Sequence, residues 1–330
     1  MQFAPVGQEN NKKLIFASAL RGMAGRGKLP LLVLDKDGTI TEPRNPLEPE
    51  SADAILKVLA QGAIVAVISG AELRRLNSEV VNVLRGRLHD RSVMDRLYLI
   101  SENGGQLHRF NAATDEFDLV YQVDLWATVG EENLRLMLAI IDETMQRFQI
   151  ERKPERGQVV AERSQIKFSP LGNIKDDQLR RSFDPEGERR RVWADYIKVR
   201  ATQHGLVDGK GLIVDVIVAG TASINVLPRG VSKGYGVDRL AALVGLNNDS
   251  IVYMGDKMKG NDADVLGRAC VVVNVGADAD FEMENTLLLT SDEKGPAAVR
   301  AYLHVAQQVL HEFQQRPEKR LTSDPREQKT

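Results

Sequence analysis

The segment spanning residues 31–41, LLVLDKDGTIT, constrains the fold more than any other part of the chain. Four apolar residues run directly into Asp35, Lys36, Asp37 and the pair Gly38-Thr39. A short, continuously apolar run closed by a turn signal fits a strand buried on both faces of a parallel sheet. In open α/β sheets, ligands bind beyond the carboxyl ends of such strands. Asp35 and Asp37 are therefore expected at a crevice, where the chain turns. A strand ending in an ordinary Asp/Gly turn satisfies the same local pattern, so the rest of the chain has to decide.

The arrangement recurs. AIVAVI at 63–68 runs into Ser69-Gly70, a strand at 98–101 runs into Glu102-Asn103-Gly104-Gly105, and a strand at 250–254 runs into Gly255-Asp256. Between the first strands, Ala54, Ile55, Val58 and Leu59 fall at helical spacing within 50–61, with Ser51 as the expected N-cap. Residues 72–85 read as the next helix. Strand, helix, strand, helix, strand is the pattern of a parallel α/β sheet. The pattern then changes to hairpin strands at 106–110/117–123 and 158–162/165–169, strands at 212–218 and 223–227, and two helices. One helix covers 131–148; the other, 185–203, is expected to present Val192, Trp193, Tyr196 and Val199 on one side and the basic run Arg189-Arg190-Arg191 to water. Parallel character returns with a helix at 236–244, strands at 250–254 and 271–275, and an amphipathic helix at 297–314.

The expected fold class is thus α/β: a doubly wound (Rossmann-like) parallel-sheet core, residues 30–105 and 228–315, interrupted by an inserted α+β cap at 106–227. An extension at 1–29, with a short helix at 14–23, precedes it, and a polar tail at 316–330, expected to be disordered, follows. An insertion above the carboxyl edge of a sheet acts as a lid that excludes water on closure.

Composition narrows the function. The 330 residues suffice for two domains, and 42% hydrophobic with 27% charged residues is ordinary for a globular protein. A net charge of −2 gives no basic excess for nucleic acid or an anionic membrane, and 5% aromatics leave little for base stacking. The single cysteine, Cys270, sits in the apolar run ACVVVNV and reads as core. The five histidines show no metal-ligand spacing. There is no signal-peptide core and no apolar run near 18 residues, so a cytoplasmic location is expected.

Asp35/Asp37, Ser69-Gly70, Asp256 and Lys233 in GVSKG together suit phosphoryl transfer. The carboxylates would hold Mg²⁺, which takes oxygen ligands and bridges to phosphate oxygens. The metal and Lys233 would neutralise the phosphate, without which a carboxylate cannot approach it. Ser69 and neighbouring N–H groups would bond phosphate oxygens. Asp35 could then form an aspartyl-phosphate, splitting one displacement into two.

The four pieces LDKDGTIT, VISG, Lys233 in GVSKG and MGDKMKGND resemble, in order, the four motifs of the haloacid dehalogenase-type phosphotransferases. The resemblance implies a nucleophile at Asp35 and a general acid/base at Asp37 whose carbonyl also meets Mg²⁺. It implies phosphoryl contacts from Ser69, Gly70 and Lys233, and a metal ligand at Asp256. The insertion after ENG is similar to the larger cap of the Cof-type branch. Within that branch, ERGQVVAERSQIKFSPLGN, SINVLPRGVSKG and Arg44 in TEPRNPL resemble the eukaryotic-type phosphomannomutases. That resemblance implies that Arg156 and Arg163 meet a distal phosphate, with Arg44, Asn173, Ser223 and Asn225 at the substrate.

Two departures bear on the reaction. Asn173 stands where the mutase pattern has Arg, and Asn225 where it has an acid. A mutase must hold both ends of a bisphosphate, and losing a charge-assisted contact costs about 1.5–3 kcal/mol; hydrolysis needs only one phosphate and a water. The expectation is therefore a Mg²⁺-dependent phosphatase acting on a small phosphorylated sugar, with a hexose-phosphate mutase and a non-catalytic sugar-phosphate-binding protein as alternatives. The sequence does not fix the oligomeric state, although exposed cap faces could pair two copies. In the last motif, residues 257–260 separate Gly255-Asp256 from Asn261-Asp262, which leaves Asp256, Asp262 and Asp264 as candidate metal ligands; Asp256, at a strand end, is favoured.

Overall fold

The computed structural model describes residues 8–174, 176–260, 262–277 and 285–315; the tail at 316–330 lies outside them. Strand β1 (Leu31–Asp35) is followed by β2 (Ile64–Ile68) and β3 (Leu97–Ser101), then by a hairpin of β4 (Gln106–Asn111) and β5 (Glu116–Gln122). The inserted region carries β6 (Val159–Ala161), β7 (Ile166–Phe168), β8 (Val207–Asp208), β9 (Gly211–Leu212), β10 (Val214–Ala219) and β11 (Ser223–Pro228). The chain returns through β12 (Ile251–Gly255), β13 (Val271–Asn274) and β14 (Leu287–Thr290).

The core sheet has the order β14-β13-β12-β1-β2-β3-β4-β5. Its first six strands are parallel, and β4 and β5 are antiparallel. The strand order reverses between β1 and β12, and this is the crevice where α/β sheets bind ligands. Side chains alternate across the sheet. Leu32 and Leu34 of β1 face the cluster that holds the helices Pro49–Ala60 and Gly295–Gln314, while Leu31 and Val33 face the one that holds the helix Lys233–Leu243. Asp35 continues the second parity, which puts it on the Lys233 side.

Several expectations need correction. The 106–122 hairpin, assigned by pattern to the cap, instead extends the core sheet at β3. A hairpin joined to β3 by a tight turn has that strand's free edge as its nearest pairing partner. The extension holds a helix, Gln8–Gly25, longer than expected. Its Phe16, Leu20 and Met23 are buried in the main core, and Phe16 meets Tyr302 edge-on at 5.1 Å. The helix expected to start at Ser51 begins at Pro49 with Glu48 as N-cap, and Ser51 is buried inside it. Strand β14 and the helix Asp177–Phe183, capped by Asp176, were not anticipated.

The cap is an antiparallel sheet, β10-β11-β7-β6, with the small hairpin β8-β9 beside it. The helices Glu131–Arg147 and Glu188–Gln203 cover one face. In the second helix the buried positions are Arg190, Trp193, Ala194, Ile197 and Ala201, while Val192 and Val199 are exposed. The basic run is therefore not uniformly wet: Arg190 is buried, paired with Asp184 at 2.9 Å, and donates to the carbonyls of Ala219 and Gly220. Helical phase, at 3.6 residues per turn, sends 190 inward with 193, 194 and 197. Ile166, Phe168, Ile224 and Val226 also point to the helices, so Lys167, Ser223 and Asn225 occupy the opposite face, over the core. Among the described residues, no helix is long and apolar enough to cross a membrane.

Because Phe16 is fully buried against the core, Phe16→Ala should lower stability by about 3–5 kcal/mol. Urea unfolding of the full chain measures this; a loss below about 1 kcal/mol would mean the N-terminal helix is only draped on the surface.

Candidate active site

The site lies at the carboxyl ends of β1, β2 and β12. Asp35, 5% exposed, ends β1, and Asp256 follows β12. Lys233 opens the helix Lys233–Leu243, whose N-cap Ser232 accepts from the N–H of Tyr235 at 3.2 Å. Its ammonium is 2.7 Å from Asp35 and 2.6 Å from Asp262, and all three side chains are buried. Burial disfavours the charged lysine, but Asp262 and Asp35 outweigh it and raise its pKa. Burial raises the Asp35 carboxyl, against the pull of Lys233. Burial, then the charge of Asp35, pushes Asp256 up to about 7.

Carboxylate oxygens of Asp35, Asp256 and Asp262 lie within 4.8 Å of one another. Three hard oxygen donors within that distance of one another fit a metal ion. Asp264 is elsewhere: it accepts from the N–H of Gly234 at 2.7 Å, at the start of the Lys233 helix. Of the three candidates left open by the last motif, Asp256 and Asp262 face Asp35. The turn is built tightly around these charges. Gly38 has φ +86°, and a Cβ there would stand 2.3 Å from Asp256 Oδ2.

Asp37 lines the same cavity, but its carboxylate is outside that acidic cluster. Oδ1 takes Lys36 Nζ at 2.6 Å, the N–H of Arg44 at 2.9 Å and Arg75 Nη2 at 3.3 Å. Burial would raise this carboxyl; Lys36 and Arg75 hold it below the ordinary range. Lys36 is fully buried and also meets Glu79 at 2.6 Å, and Arg75 meets Glu79 at 2.8 Å. Glu79 belongs to a π-helical stretch, Asn77–Val81. Such stretches are rare and frequent at functional sites; from this one Glu79 reaches Lys36, for which the sequence alone offers no role.

Ser69, Gly70, Arg44, Ser223, Asn225 and Lys233 all line the cavity. Arg44 also bridges to the cap, donating to Asn173 Oδ1 and the Ile174 carbonyl, each at 2.9 Å; Asn173, expected at the substrate, does not line the cavity and serves as a partner of Arg44 instead. Arg156 and Arg163 do not line it: Arg163 pairs with Asp124 at 2.7 Å, and Arg156 lies on the exterior beside Glu155. Both sit outside the sheet face that looks onto the core. Three residues that sequence reasoning passed over take up cavity positions, Lys167, Arg180 and Asn103. The first was legible in the alternation of IKF, where a lysine lies between two inward apolar residues. Arg180 donates to Thr221 Oγ1 at 3.3 Å. Six basic side chains line the cavity against four acidic ones, Asp35, Asp37, Asp256 and Asp262. That excess attracts an anion.

A model of the haloacid dehalogenase-like hydrolases matches residues 32–280. The chain belongs to this family. It is an enzyme acting on phosphate esters. Phosphomannomutase of Babesia bovis is 25% identical over 245 residues, 73% of this chain and 90% of that protein. Phosphomannomutase 1 of Dictyostelium discoideum is 26% identical over 240 residues, 71% and 86% of the two. Among solved structures, N-terminally truncated Plasmodium falciparum IMP-nucleotidase aligns with a TM-score of 0.59 at 14% identity, over 90% of this chain and 74% of that one. Aspergillus fumigatus trehalose-6-phosphate phosphatase aligns with a TM-score of 0.54 at 16% identity, over 88% and 97%. At these identities the structures share the haloacid dehalogenase fold.

The raised carboxyl of Asp256 has a consequence for stability. A group that keeps its proton to higher pH in the folded state contributes fully below its unfolded pKa and loses that contribution as pH rises through the folded one. With chelator present, the difference in thermal stability between the native chain and Asp256→Asn should therefore move against the native chain between about pH 4 and pH 7. A difference that moves in its favour over that window would contradict the geometry.

Proposed function

We propose that this enzyme is a Mg²⁺-dependent phosphatase that removes phosphate from a phosphorylated sugar through an aspartyl-phosphate on Asp35. The observation that carries the reading is the buried Asp35–Lys233–Asp262 arrangement at the strand ends, beneath a cap face bearing Ser223 and Asn225. A bound Mg²⁺, held by Asp35, Asp256 and Asp262 and by the Asp37 carbonyl, would supply charge neutralisation at the phosphate.

The chain's own groups do the rest. Ser69, the N–H groups around Gly70 and Lys233 orient the phosphoryl group. An Asp35 carboxylate oxygen attacks phosphorus, the bond to the sugar oxygen breaks, and Asp37 protonates that oxygen. The incoming phosphate's negative charge raises the Asp37 carboxyl from its paired, depressed state and lets it carry the proton. Asp37 then takes a proton from water, whose oxygen attacks phosphorus and frees the Asp35 carboxylate. One residue serves as acid and then as base. The closed cap shields the phosphoenzyme from bulk water.

A second reading has its own support. The curated relatives are named phosphomannomutases, and Lys167 and Arg180 add cationic groups on the cap side of the cavity. A hexose-phosphate mutase would use such cations for a second phosphate.

Incubation with mannose 1-phosphate and Mg²⁺, with and without a hexose bisphosphate, separates the two. Sustained release of inorganic phosphate is the expected result; isomer formation with little free phosphate would establish the mutase instead. Asp35→Asn should lower kcat by at least about 10³-fold, as loss of a covalent nucleophile does. Full turnover by that variant would remove the nucleophile from Asp35.

A further inference from the structure

The turn between β3 and β4 holds three consecutive residues in the left-handed region: Glu102 (φ +49°), Asn103 (φ +53°) and Gly104 (φ +93°). Backbone of this kind persists only where its surroundings over-determine it, and it concentrates at functional sites. Here the surroundings do so. The Asn103 N–H donates to the Ser69 carbonyl at 3.1 Å and the Glu102 N–H to that of Ala71 at 3.0 Å, while Glu102 Oε2 accepts from the N–H of Ser164 in the cap at 2.6 Å. The turn is thereby tied both to the Ser69-Gly70 loop and to the cap.

The orientation of the Asn103 amide follows from its partners. Gln165 Nε2 donates to the Gly70 carbonyl at 3.0 Å, and a carbonyl can only accept. Gln165 Oε1 must then face Asn103, and it accepts from Asn103 Nδ2 at 2.8 Å. This turns Asn103 Oδ1 away from Gln165. The residue is 1% exposed and lines the cavity with Asp35, Gly70 and Lys233, and Oδ1 has no hydrogen-bond partner among the described residues. It packs over Gly70, where a Cβ would come within 2.9 Å of it. On the cap side, Asn225 is 2% exposed and its Oδ1 is likewise without a partner. A phosphate dianion offers only acceptors and satisfies neither oxygen.

Resting on the phosphatase reading for its ester, we propose that Asn103 Oδ1 accepts a hydrogen bond from a hydroxyl of the substrate's organic group. Asn103 then selects hydroxylated phosphate esters over bare ones when the cap is closed. Gln165 holds the amide in the accepting orientation and acts as a positioning residue.

Binding is measured on the full chain carrying Asp35→Asn, so that the ligand is not consumed, by calorimetry with Mg²⁺, using mannose 1-phosphate and 2-deoxy-mannose 1-phosphate as probes. In that background the deoxy probe should bind more weakly, and Asn103→Gly should weaken mannose 1-phosphate about tenfold to a hundredfold while erasing the preference. Glycine suits the φ of +53°, so the variant keeps the turn. With Asp35 intact, Asn103→Gly should lower kcat/KM for mannose 1-phosphate by a similar factor and leave p-nitrophenyl phosphate, which has no hydroxyl, within about twofold. Gln165→Leu should give a partial loss in the same direction. An equal fall for both esters, or a hydroxyl preference that is absent at the start or survives Asn103→Gly, would overturn the proposal. If the native chain turned over neither ester, the phosphatase reading would fall, and the binding preference would still decide the role of Asn103.

Discussion

The buried ammonium of Lys233 is the interaction on which the site depends. Removing one ion from water costs several kcal/mol even after the protein relaxes, and a buried ion is tolerated only when its partners are well placed. Lys233 lies between Asp35, from β1, and Asp262, from the loop after β12, at 2.7 and 2.6 Å. The ion pairs therefore join the two strands that flank the reversal of strand order. Asp256 adds a third carboxylate beside them, so negative charge exceeds the one ammonium. That imbalance is what a divalent cation held by the carboxylates would offset. The backbone has been shaped to the same end. A Cβ at Gly255 would stand 2.5 Å from Asp262 Oδ2, as one at Gly38 would crowd Asp256.

Both sheets translate alternation into chemistry. In the core, Leu31 and Val33 share a face with Asp35, and that parity decides which helix can deliver a lysine to it. In the cap, Ile166 and Phe168 bury themselves under two helices, and Lys167 is turned toward the core as a consequence. Lys167 and Asn225 are direct cross-strand partners. The polar face of the cap is thus a by-product of how its apolar face packs, and its residues reach the cavity without a dedicated loop.

This explains what was legible in the sequence. The apolar runs that end at Asp35, Ser69 and Asp256 mark strands buried on both faces, and their order fixes the core. Ser223 and Asn225 were expected there by resemblance, and their alternation with Ile224 and Val226 places them on the face that looks onto the core. Arg156 and Arg163 were expected at the ligand by resemblance alone, and neither follows the inward alternation of the strand next to it. The reach of Arg180 depends on a short helix whose apolar content is slight, and Lys36 depends on Glu79, a partner 43 residues away delivered by a π-helical irregularity. Periodicity carries no information about either. The 106–122 hairpin was misassigned because a hairpin's own pattern does not say which sheet it will join.

The cap is not an independent lid resting on the core. Its hydrogen bonds to the core fall on the loops that line the cavity: Arg44 to Asn173 and Ile174, Gln165 to the Gly70 carbonyl, and Ser164 to Glu102. Arg44 also gives its N–H to Asp37. A displacement of the cap must therefore break bonds made by the segments that position Asp37 and the Ser69-Gly70 loop. Movement of the cap and loosening of the Asp37 and Ser69-Gly70 segments are coupled, because the same few hydrogen bonds restrain all three.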